Sequence, residues 1–283
     1  MKVAYQGVPG AYSEKAARAL FPGCDTLPCE TFAAVFAAVE SRRAHAAAIP
    51  VENSLAGSIH ENYDLLVRHA LRVSGETYVR VEHALMAPRG TGLKDVREVR
   101  SHPQALAQCA GWFAANKAVR AVTWYDTAGA AASLAEDPEP GVAAIASETA
   151  AAIYGLRILK RRLQDRPRNF TRFLAIVRDG SKIVAAAPES KARSAFKTSL
   201  ALIPARNRAG VLHAVTGVFA SRGIDLTKVE SRPDPDNPFD YRFYLDASGS
   251  ATEAPLKNAL AELKKLVREL RVLGSYPAAK LPR

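Results

Sequence analysis

The first 178 residues alternate short apolar runs with segments of helical periodicity. Residues 3–6, 46–50 and 173–177 have the length and composition of buried strands. Apolar side chains between the first two runs recur at the spacing of one helix face: Phe32, Val35, Phe36 and Val39. Strands that alternate with helices in this way predict an α/β fold with a mostly parallel sheet.

The order of these elements predicts two lobes. Residues 71–87 mix β-branched and polar side chains, as expected of extended crossovers into a second lobe. Further strand and helix signals follow up to residue 154, and the chain then returns through residues 156–177. We expect residues 1–75 and 155–178 to form one lobe and residues 76–154 the other.

The pattern changes after residue 178. Residues 179–195 are polar and alanine-rich with little periodicity, which predicts a linker between domains. Beyond it we expect strands at 196–203, 225–231, 239–246 and 271–276, with helices at 210–221 and 255–270. This βαββαβ order predicts a ferredoxin-like domain over residues 196–283.

Composition narrows the function. No run reaches the roughly 18 apolar residues that a membrane span needs, and the first residues resemble a strand and not a signal peptide, so we expect a cytoplasmic protein without a membrane partner. The 39 basic and 28 acidic residues give a net charge of +11, yet the charges are scattered and form no basic stripe interleaved with aromatic residues. This distribution favours a small anionic substrate over nucleic acid. The three cysteines lack metal-ligand spacing, and we expect neither a metal nor a cofactor.

Polar side chains cluster where predicted strands begin or end, the edge at which open α/β sheets bind ligands. They occur in three segments: Glu52, Asn53 and Ser54; Ser101, Gln104 and Gln108; Asn169, Thr171 and Arg172. Each segment taken alone is also typical of a capped turn or a solvated helix face. Together they suggest convergence on an anion.

Five motifs, in order along nearly the whole chain, carry a family resemblance. They are residues 5–13 (Tyr-Gln-Gly-Val-Pro-Gly-Ala-Tyr-Ser), 50–54 (Pro-Val-Glu-Asn-Ser), 101–109 (Ser-His-Pro-Gln-Ala-Leu-Ala-Gln-Cys), 126–128 (Asp-Thr-Ala) and 169–173 (Asn-Phe-Thr-Arg-Phe). The chain resembles the prephenate dehydratases, in the branch that includes arogenate dehydratases. The resemblance implies a two-lobed catalytic domain like that of periplasmic binding proteins, followed by an ACT regulatory domain.

The resemblance also implies roles for individual residues. Thr171 would protonate the departing hydroxyl, with Glu52 as the rival proton donor. Arg172 suits a carboxylate through its paired donors. The remaining substrate-binding candidates are Asn53, Ser54, Ser101, Gln104, Gln108, Asn169 and Phe173.

In the ACT domain the resemblance implies a site for phenylalanine between neighbouring subunits. Its candidate residues lie in two segments: Asn207, Gly210, Val211 and Leu212, and then Glu230, Ser231, Arg232 and Pro233. We therefore expect L-phenylalanine as an effector and a homodimer or homotetramer formed through the ACT domains. The alternative for residues 230–233 is a strand end with a surface ion pair.

The expected reaction is the decarboxylating dehydration of prephenate to phenylpyruvate in L-phenylalanine biosynthesis. The alternative substrate is arogenate, which would give L-phenylalanine directly; residues 53–66 and 270–277 look like the plant-type branch, for which the compartment would be the plastid stroma. A different class remains as runner-up, a non-catalytic amino-acid sensor, because a two-lobed fold also suits solute binding.

Overall fold

A computed structural model describes residues 1–186, 196–234 and 237–282, without the side chains of Pro238 and Phe239. The first lobe is a mixed sheet flanked by helices. Its strands are β1 (Lys2–Gln6), β2 (Asp25–Cys29), β3 (Ala46–Asn53), β4 (Gly57–Ser58), β5 (Leu71–Arg80) and β11 (Phe170–Arg178), and its helices are α1 (Tyr12–Leu20), α2 (Phe32–Glu40) and α3 (His60–Arg68). The main strand order is β2-β1-β3-β11-β5, with β4 paired to β3.

The second lobe is a smaller mixed sheet of order β10-β6-β9-β7-β8. Its strands are β6 (Ala84–Ala87), β7 (Glu98–Ser101), β8 (Arg120–Thr123), β9 (Val142–Ala146) and β10 (Arg157–Lys160), and its helices are α4 (Pro103–Ala107), α5 (Ala110–Ala115), α6 (Thr127–Glu136) and α7 (Glu148–Ile153). The expected boundaries at 75 and 155 are displaced. Strand β5 stays in the first sheet to Arg80, and β10 pairs with β6 of the second lobe. Both boundaries depend on which strands pair, and the periodicity of the sequence does not reveal strand pairing.

The two crossovers between the lobes are bonded to each other. The backbone N–H of Val81 donates to the Asn169 carbonyl at 2.8 Å, and that of Leu163 donates to the His83 carbonyl at 2.8 Å. The His83 N–H in turn donates to the Gln164 side-chain oxygen at 2.9 Å. Residues 81–83 and 161–169 therefore form a joined hinge between the lobes.

The carboxyl-terminal domain has the expected ferredoxin-like order. It comprises β12 (Phe196–Pro204), α8 (Val211–Ala220), β13 (Leu226–Asp234), β14 (Asn237–Ser248), α9 (Ala254–Leu263) and β15 (Val267–Pro277), with an antiparallel sheet of order β13-β14-β12-β15. The second helix ends at Leu263 and does not reach residue 270. Val267 and Leu270 fit a helical spacing, but they pair with β12 as part of β15. Pairing with a strand distant in sequence overrides the local pattern.

The two faces of this sheet are covered differently. Helices α8 and α9 pack on one face around Leu202, Phe219 and Leu260. The other face packs on the first lobe, where Tyr244 and Tyr276 share a core with Leu174. The approach is closest at Gly274, where a Cβ atom would lie 2.1 Å from the Val73 carbonyl oxygen. Only glycine fits there, so the two domains form one packed unit.

The expected linker begins inside this unit. Ala185 is buried against the first lobe, where it meets Gly75. Residues 187–195, the rest of that segment, lie outside the described residues. Among the described residues no helix is long and apolar enough to cross a membrane.

Candidate active site

Asn53, at the end of β3, occupies the centre of a buried hydrogen-bond network in the cleft between the lobes. Its amide Nδ2 donates to Asn169 Oδ1 at 2.8 Å and to Thr171 Oγ1 at 3.0 Å. Strand pairing explains this meeting, because Thr171 on β11 lies directly opposite Asn53 on β3. Residues 116 to 118 positions apart in sequence thus converge at one strand end.

The network continues from Asn169 into the second lobe. Asn169 Nδ2 donates to Gln108 Oε1 at 2.9 Å, and His83 Nε2 lies 2.9 Å from the same oxygen. The other ring nitrogen of His83 lies 3.3 Å from the hydroxyl of Tyr12 on α1. Hinge, first lobe and second lobe are therefore joined through side chains.

The directions of the hydrogen bonds between Asn53 and His83 Nε2 follow from one end of the network, whereas the Tyr12 hydroxyl donates to the Glu82 carbonyl at 2.6 Å. The backbone N–H groups of residues 55 and 56 both donate to one side-chain atom of Asn53 at 3.0 Å, which must be its oxygen. The NH₂ group of Asn53 therefore faces Asn169, whose oxygen must accept. The NH₂ group of Asn169 then faces Gln108, so the oxygen of Gln108 accepts and His83 Nε2 must carry a hydrogen.

This polarity leaves two donors directed elsewhere. Thr171 Oγ1 accepts from Asn53, and no other described residue takes the hydroxyl proton of Thr171. The oxygen of Gln108 is occupied by two donors, so its NH₂ group points away from the network. In the described structure both donors are available to a bound molecule.

Burial determines the ionisation of the network. His83 is 2% exposed, and desolvation lowers the pKa of its imidazole despite the bond to Gln108. Burial also raises the pKa of the Tyr12 phenol well above its ordinary value. The side chains of the hydrogen-bond network, from Tyr12 through His83 to Thr171, are therefore uncharged near neutral pH.

Cavities adjoin both ends of the network. One of about 410 Å³ lies between the lobes and is lined by Tyr12, Ser13, Asp126 and Thr127 of two of the sequence motifs. A second of about 530 Å³ is lined by Ser54, Gln104, Gln108, Asp165 and Arg166 among others. Thr171 does not line the second cavity, but two lining residues bond to its neighbours: Ser54 accepts from the Phe170 N–H at 3.0 Å, and Gln108 accepts from Asn169 at 2.9 Å. Gln104, Gln108 and Ser54 thus converge as expected.

Arg172 does not lie in the cleft, contrary to the sequence prediction. It is 5% exposed, and its guanidinium bonds to Glu76 at 2.7 Å and to Asp246 of the carboxyl-terminal domain at 2.5 Å. The Tyr276 hydroxyl accepts a further bond at 3.1 Å. Side chains alternate along a strand, so Arg172 faces away from Thr171, and its guanidinium is buried among residues of the carboxyl-terminal domain interface.

Glu52 is displaced for the same reason. It lies opposite Arg172 in the sheet, and its carboxylate faces Lys228 of the carboxyl-terminal domain at 3.5 Å. It is therefore on the face of β3 away from Thr171. The expectation that Glu52 is the rival proton donor in the cleft is wrong.

Two further candidates are structural. Ser101 is fully buried at the end of β7, where its hydroxyl donates to the Ile145 carbonyl at 2.6 Å. It precedes helix α4, so it does not share a helix face with Gln104 and Gln108. Phe173 is 2% exposed in the core between the sheet and α1.

Sequence reasoning missed three residues of this region. His83 and Arg166 lie in the crossovers, which lack periodicity, and Tyr12 belongs to the motif of residues 5–13, to which the resemblance assigned no role in the site. Arg166 is exposed and forms no salt bridge among the described residues, so a cation is available at the second cavity. The excess of basic residues near the returning strand was the one available signal for it.

The expected effector residues occupy two places. Gly210 adopts the left-handed conformation with φ of 80° before α8, which favours glycine, and Val211 and Leu212 begin that helix. Asn207 lines a small cavity beside β14. Ser231 and Pro233 are exposed on β13.

The other two residues of that segment contact the first lobe. Glu230 bonds to His60 at 2.5 Å and to the Ser58 hydroxyl, and Arg232 bonds to Asp64 at 2.7 Å. Burial opposes ionisation of Glu230, but bonds from Lys228 and Ser58 outweigh it and hold the pKa of Glu230 below its ordinary value. The alternative of a simple surface ion pair does not describe these contacts, because they join two domains.

Comparison with known proteins identifies the family. A family model described as prephenate dehydratase matches residues 3–181, and one described as ACT domain matches residues 202–268. The chain belongs to the prephenate dehydratase family. The predicted membership, the two-lobed fold with an ACT domain and the class of carbon–oxygen lyase are confirmed.

Named relatives agree with this. An Arabidopsis thaliana protein named arogenate dehydratase/prephenate dehydratase 2, chloroplastic, is 45% identical over 98% of this chain and 73% of its own length. A crystal structure of prephenate dehydratase in complex with L-Phe from Arthrobacter aurescens superimposes with a TM-score of 0.86 at 32% identity, covering 100% of this chain and 93% of that one. A structure described as GqqA, a novel type of quorum quenching acylase, gives a TM-score of 0.87 at 36% identity over 99% of this chain and 98% of that one.

Proposed function

We propose that this chain catalyses the decarboxylating dehydration of prephenate at the cleft cavity beside Thr171. The observation that carries the proposal is the orientation of the Thr171 hydroxyl. Its oxygen accepts from Asn53 at 3.0 Å, which leaves its hydrogen available for donation to a bound molecule. A hydroxyl held in this way donates to the oxygen that leaves.

The reaction needs few groups. The electron pair of the bond between the ring and its carboxylate moves into the ring and expels the hydroxyl at the opposite carbon, which departs as water after taking a proton. Carbon dioxide and phenylpyruvate are the other products. Aromatisation drives the step, so the protein must orient the ring, donate to the leaving oxygen and restrict water.

Arg166 and Gln108 are proposed to bind substrate carboxylate in place of Arg172. Both line the cavity of about 530 Å³, and both have donors without an acceptor among the described residues. Arginine binds carboxylate through two parallel hydrogen bonds, and the Gln108 NH₂ group adds a neutral donor. Ser54, Gln104 and Asp165 are the other polar residues of the lining, and the Asp165 carboxylate accepts from the Gly111 N–H at 3.1 Å.

Arogenate is the alternative substrate, since the relatives include proteins named for either activity. It undergoes the same bond changes, and its side-chain amine makes the product L-phenylalanine. Parallel turnover measurements on both substrates, with product identified by chromatography, test the proposal. We expect phenylpyruvate from prephenate; phenylalanine at a higher kcat/KM from arogenate would reverse the assignment.

The same experiment separates other classes of protein. A chain that binds phenylalanine but converts neither substrate would be a sensor, contrary to the proposal. Because one related structure is described as an acylase, hydrolysis of acyl amides is assayed in parallel. Acylase activity without turnover of prephenate or arogenate would contradict the dehydratase proposal.

We also propose L-phenylalanine as an effector bound at the ACT domain. The related structure from Arthrobacter aurescens is described as a complex with L-Phe, and the candidate effector residues lie here at the start of α8 and on β13. Strand β13 is an edge of its sheet and exposes Val229, which suits pairing with a second copy. Equilibrium dialysis with L-phenylalanine, with D-phenylalanine as control, tests binding, and sedimentation tests the proposed homodimer or homotetramer.

The cytoplasm remains the proposed compartment, with the plastid stroma as the alternative because several plant relatives are named chloroplastic. Fractionation of source cells, followed by immunodetection of the chain, distinguishes the two.

A further inference from the structure

The hydrogen-bond network contains a buried histidine, His83, that the proposed reaction does not use. His83 lies on the first crossover of the hinge, is buried, and lines neither of the two cavities. Its ring nonetheless bonds to Gln108, which lines the substrate cavity.

The directions of the hydrogen bonds show what His83 contributes. The backbone N–H groups of residues 55 and 56 fix the oxygen of Asn53, and successive bonds fix Asn169 and then Gln108. An amide oxygen that receives a second donor is held more firmly than one with a single donor, because rotation of the amide would bring two N–H groups face to face. His83 Nε2–H is that second donor.

We infer that His83 is a positioning residue, whose Nε2–H hydrogen bond orients the Gln108 amide so that its NH₂ group faces the substrate. The backbone of His83 supports this role. Its N–H donates to Gln164 and its carbonyl accepts from Leu163, so both crossovers hold the ring in place. Tyr12 limits the ring from the other side at 3.3 Å.

Because the ring is attached to the hinge while Gln108 belongs to the second lobe and Asn53 to the first, the bond also couples lobe position to the site. A change in hinge angle would move the His83 donor relative to Gln108. This inference rests on the proposed function of the cleft.

The positioning role of His83 is tested by two variants, His83→Gln and His83→Asn, whose side chains both end in an amide but differ in length. A glutamine at this position places its Nε2 near the site of the imidazole Nε2, whereas an asparagine is too short and reaches only the site of Nδ1. We expect His83→Asn to lower kcat about tenfold, the kinetic equivalent of one lost neutral hydrogen bond, with a smaller change in KM. His83→Gln is expected to recover most of that loss. Equal loss in both variants would indicate a role in packing and overturn the inference.

A double-mutant cycle with Gln108 makes the test specific. Once Gln108→Ala removes the amide, His83→Asn should cause little further loss of kcat. An unchanged tenfold loss in that background would show that His83 does not act through Gln108.

Failure of the inference and failure of the proposed function are distinguishable. If the unmodified chain converts neither prephenate nor arogenate, the proposed function fails. The tautomer is then still testable by ¹⁵N NMR of the imidazole, where we expect the hydrogen on Nε2 at neutral pH. A hydrogen on Nδ1 alone would overturn the bond polarity and with it the inference.

Discussion

Thr171 and Arg172 are consecutive on β11, but the Thr171 side chain lies in the cleft between the lobes and the Arg172 side chain contacts the ACT domain. The Thr171 hydroxyl accepts from Asn53 in the cleft at 3.0 Å, whereas the Arg172 guanidinium bonds to Asp246 of the ACT domain at 2.5 Å. A single strand therefore carries the proposed catalytic hydroxyl on one face and a buried interdomain ion pair on the other. Movement of the second lobe or of the ACT domain relative to the first lobe would therefore act on residues 171 and 172.

Thr171→Ala is expected to lower kcat by roughly 10² to 10⁴ if the hydroxyl donates to the leaving oxygen. Thr171→Ser keeps the donor and should retain activity within about tenfold, since only a methyl group is lost. Steady-state kinetics on prephenate and arogenate measure both. Near-normal turnover of the alanine variant would remove Thr171 from the reaction.

Arg172→Met and Arg166→Met form a matched pair that separates stability from binding. The first removes the cation shared by Glu76 and Asp246, which are 2% and 3% exposed; Lys197 still bonds to Glu76 at 2.8 Å, but Asp246 has no other ionic partner among the described residues. Breaking a buried ion pair in this way costs about 3–5 kcal/mol, whereas loss of an exposed side chain without ionic partners costs about 0.5 kcal/mol or less. Urea denaturation measures the two free energies of unfolding. Equal values would contradict the buried network.

Arg166→Ala is expected to raise KM about ten- to hundredfold, the loss of one charge-assisted contact to a substrate carboxylate. Arg166→Lys keeps the charge but loses the paired donors, so an intermediate KM is expected. Arg168→Ala, which removes an exposed arginine two residues away, is the control. An effect as large in the control would indicate a general electrostatic influence and not a specific contact.

His83 should make stability fall in mild acid. Its pKa is lowered in the folded chain by burial, while the unfolded chain has the ordinary pKa of 6.5. As pH decreases below about 6.5 the unfolded chain binds a proton that the folded chain does not, so the free energy of unfolding decreases by up to about 1.4 kcal/mol per pH unit until the folded pKa is reached. The groups bonded to the ring, Tyr12 and Gln108, are uncharged and do not offset this.

The matched variant for this prediction is His83→Gln, which cannot be protonated. Its free energy of unfolding, measured by urea denaturation between pH 7.5 and 5, should depend less steeply on pH than that of the unmodified chain. Parallel curves would mean that His83 has the same pKa in both states.

Glu230→Gln is expected to weaken the effect of L-phenylalanine on turnover, whether that effect is activation or inhibition. The weakening should be roughly fivefold or more, because coupling free energies between two sites are typically about 1–3 kcal/mol. Glu230 is the residue of the expected effector segment that bonds to Ser58 and His60 of the first lobe. Glu269→Gln is the control, because that carboxylate bonds to Arg242 within the ACT domain. Turnover measured over a range of L-phenylalanine concentrations gives the response. A response retained in Glu230→Gln and lost in the control would place the coupling elsewhere.

The sequence by itself determined the classes of element and the residues that could meet in the cleft. Alternating strands and helices predicted two α/β lobes, and the βαββαβ order predicted the second domain, because both rest on local periodicity. Asn53, Gln108, Asn169 and Thr171 were expected to converge, since each lies at a strand end or at the start or end of a helix. These features need no knowledge of what packs on either face.

Only the tertiary structure decided which charged side chains face the cleft. Alternation along β11 requires Thr171 and Arg172 to point in opposite directions, but it does not say which face the ACT domain covers. Glu76 and Asp246 lie 96 and 74 residues from Arg172, and a buried guanidinium takes the face where such carboxylates are found. His83 gave no sequence signal, because its role depends on bonds to Gln108 and to a second crossover that come together only when both lobes have folded.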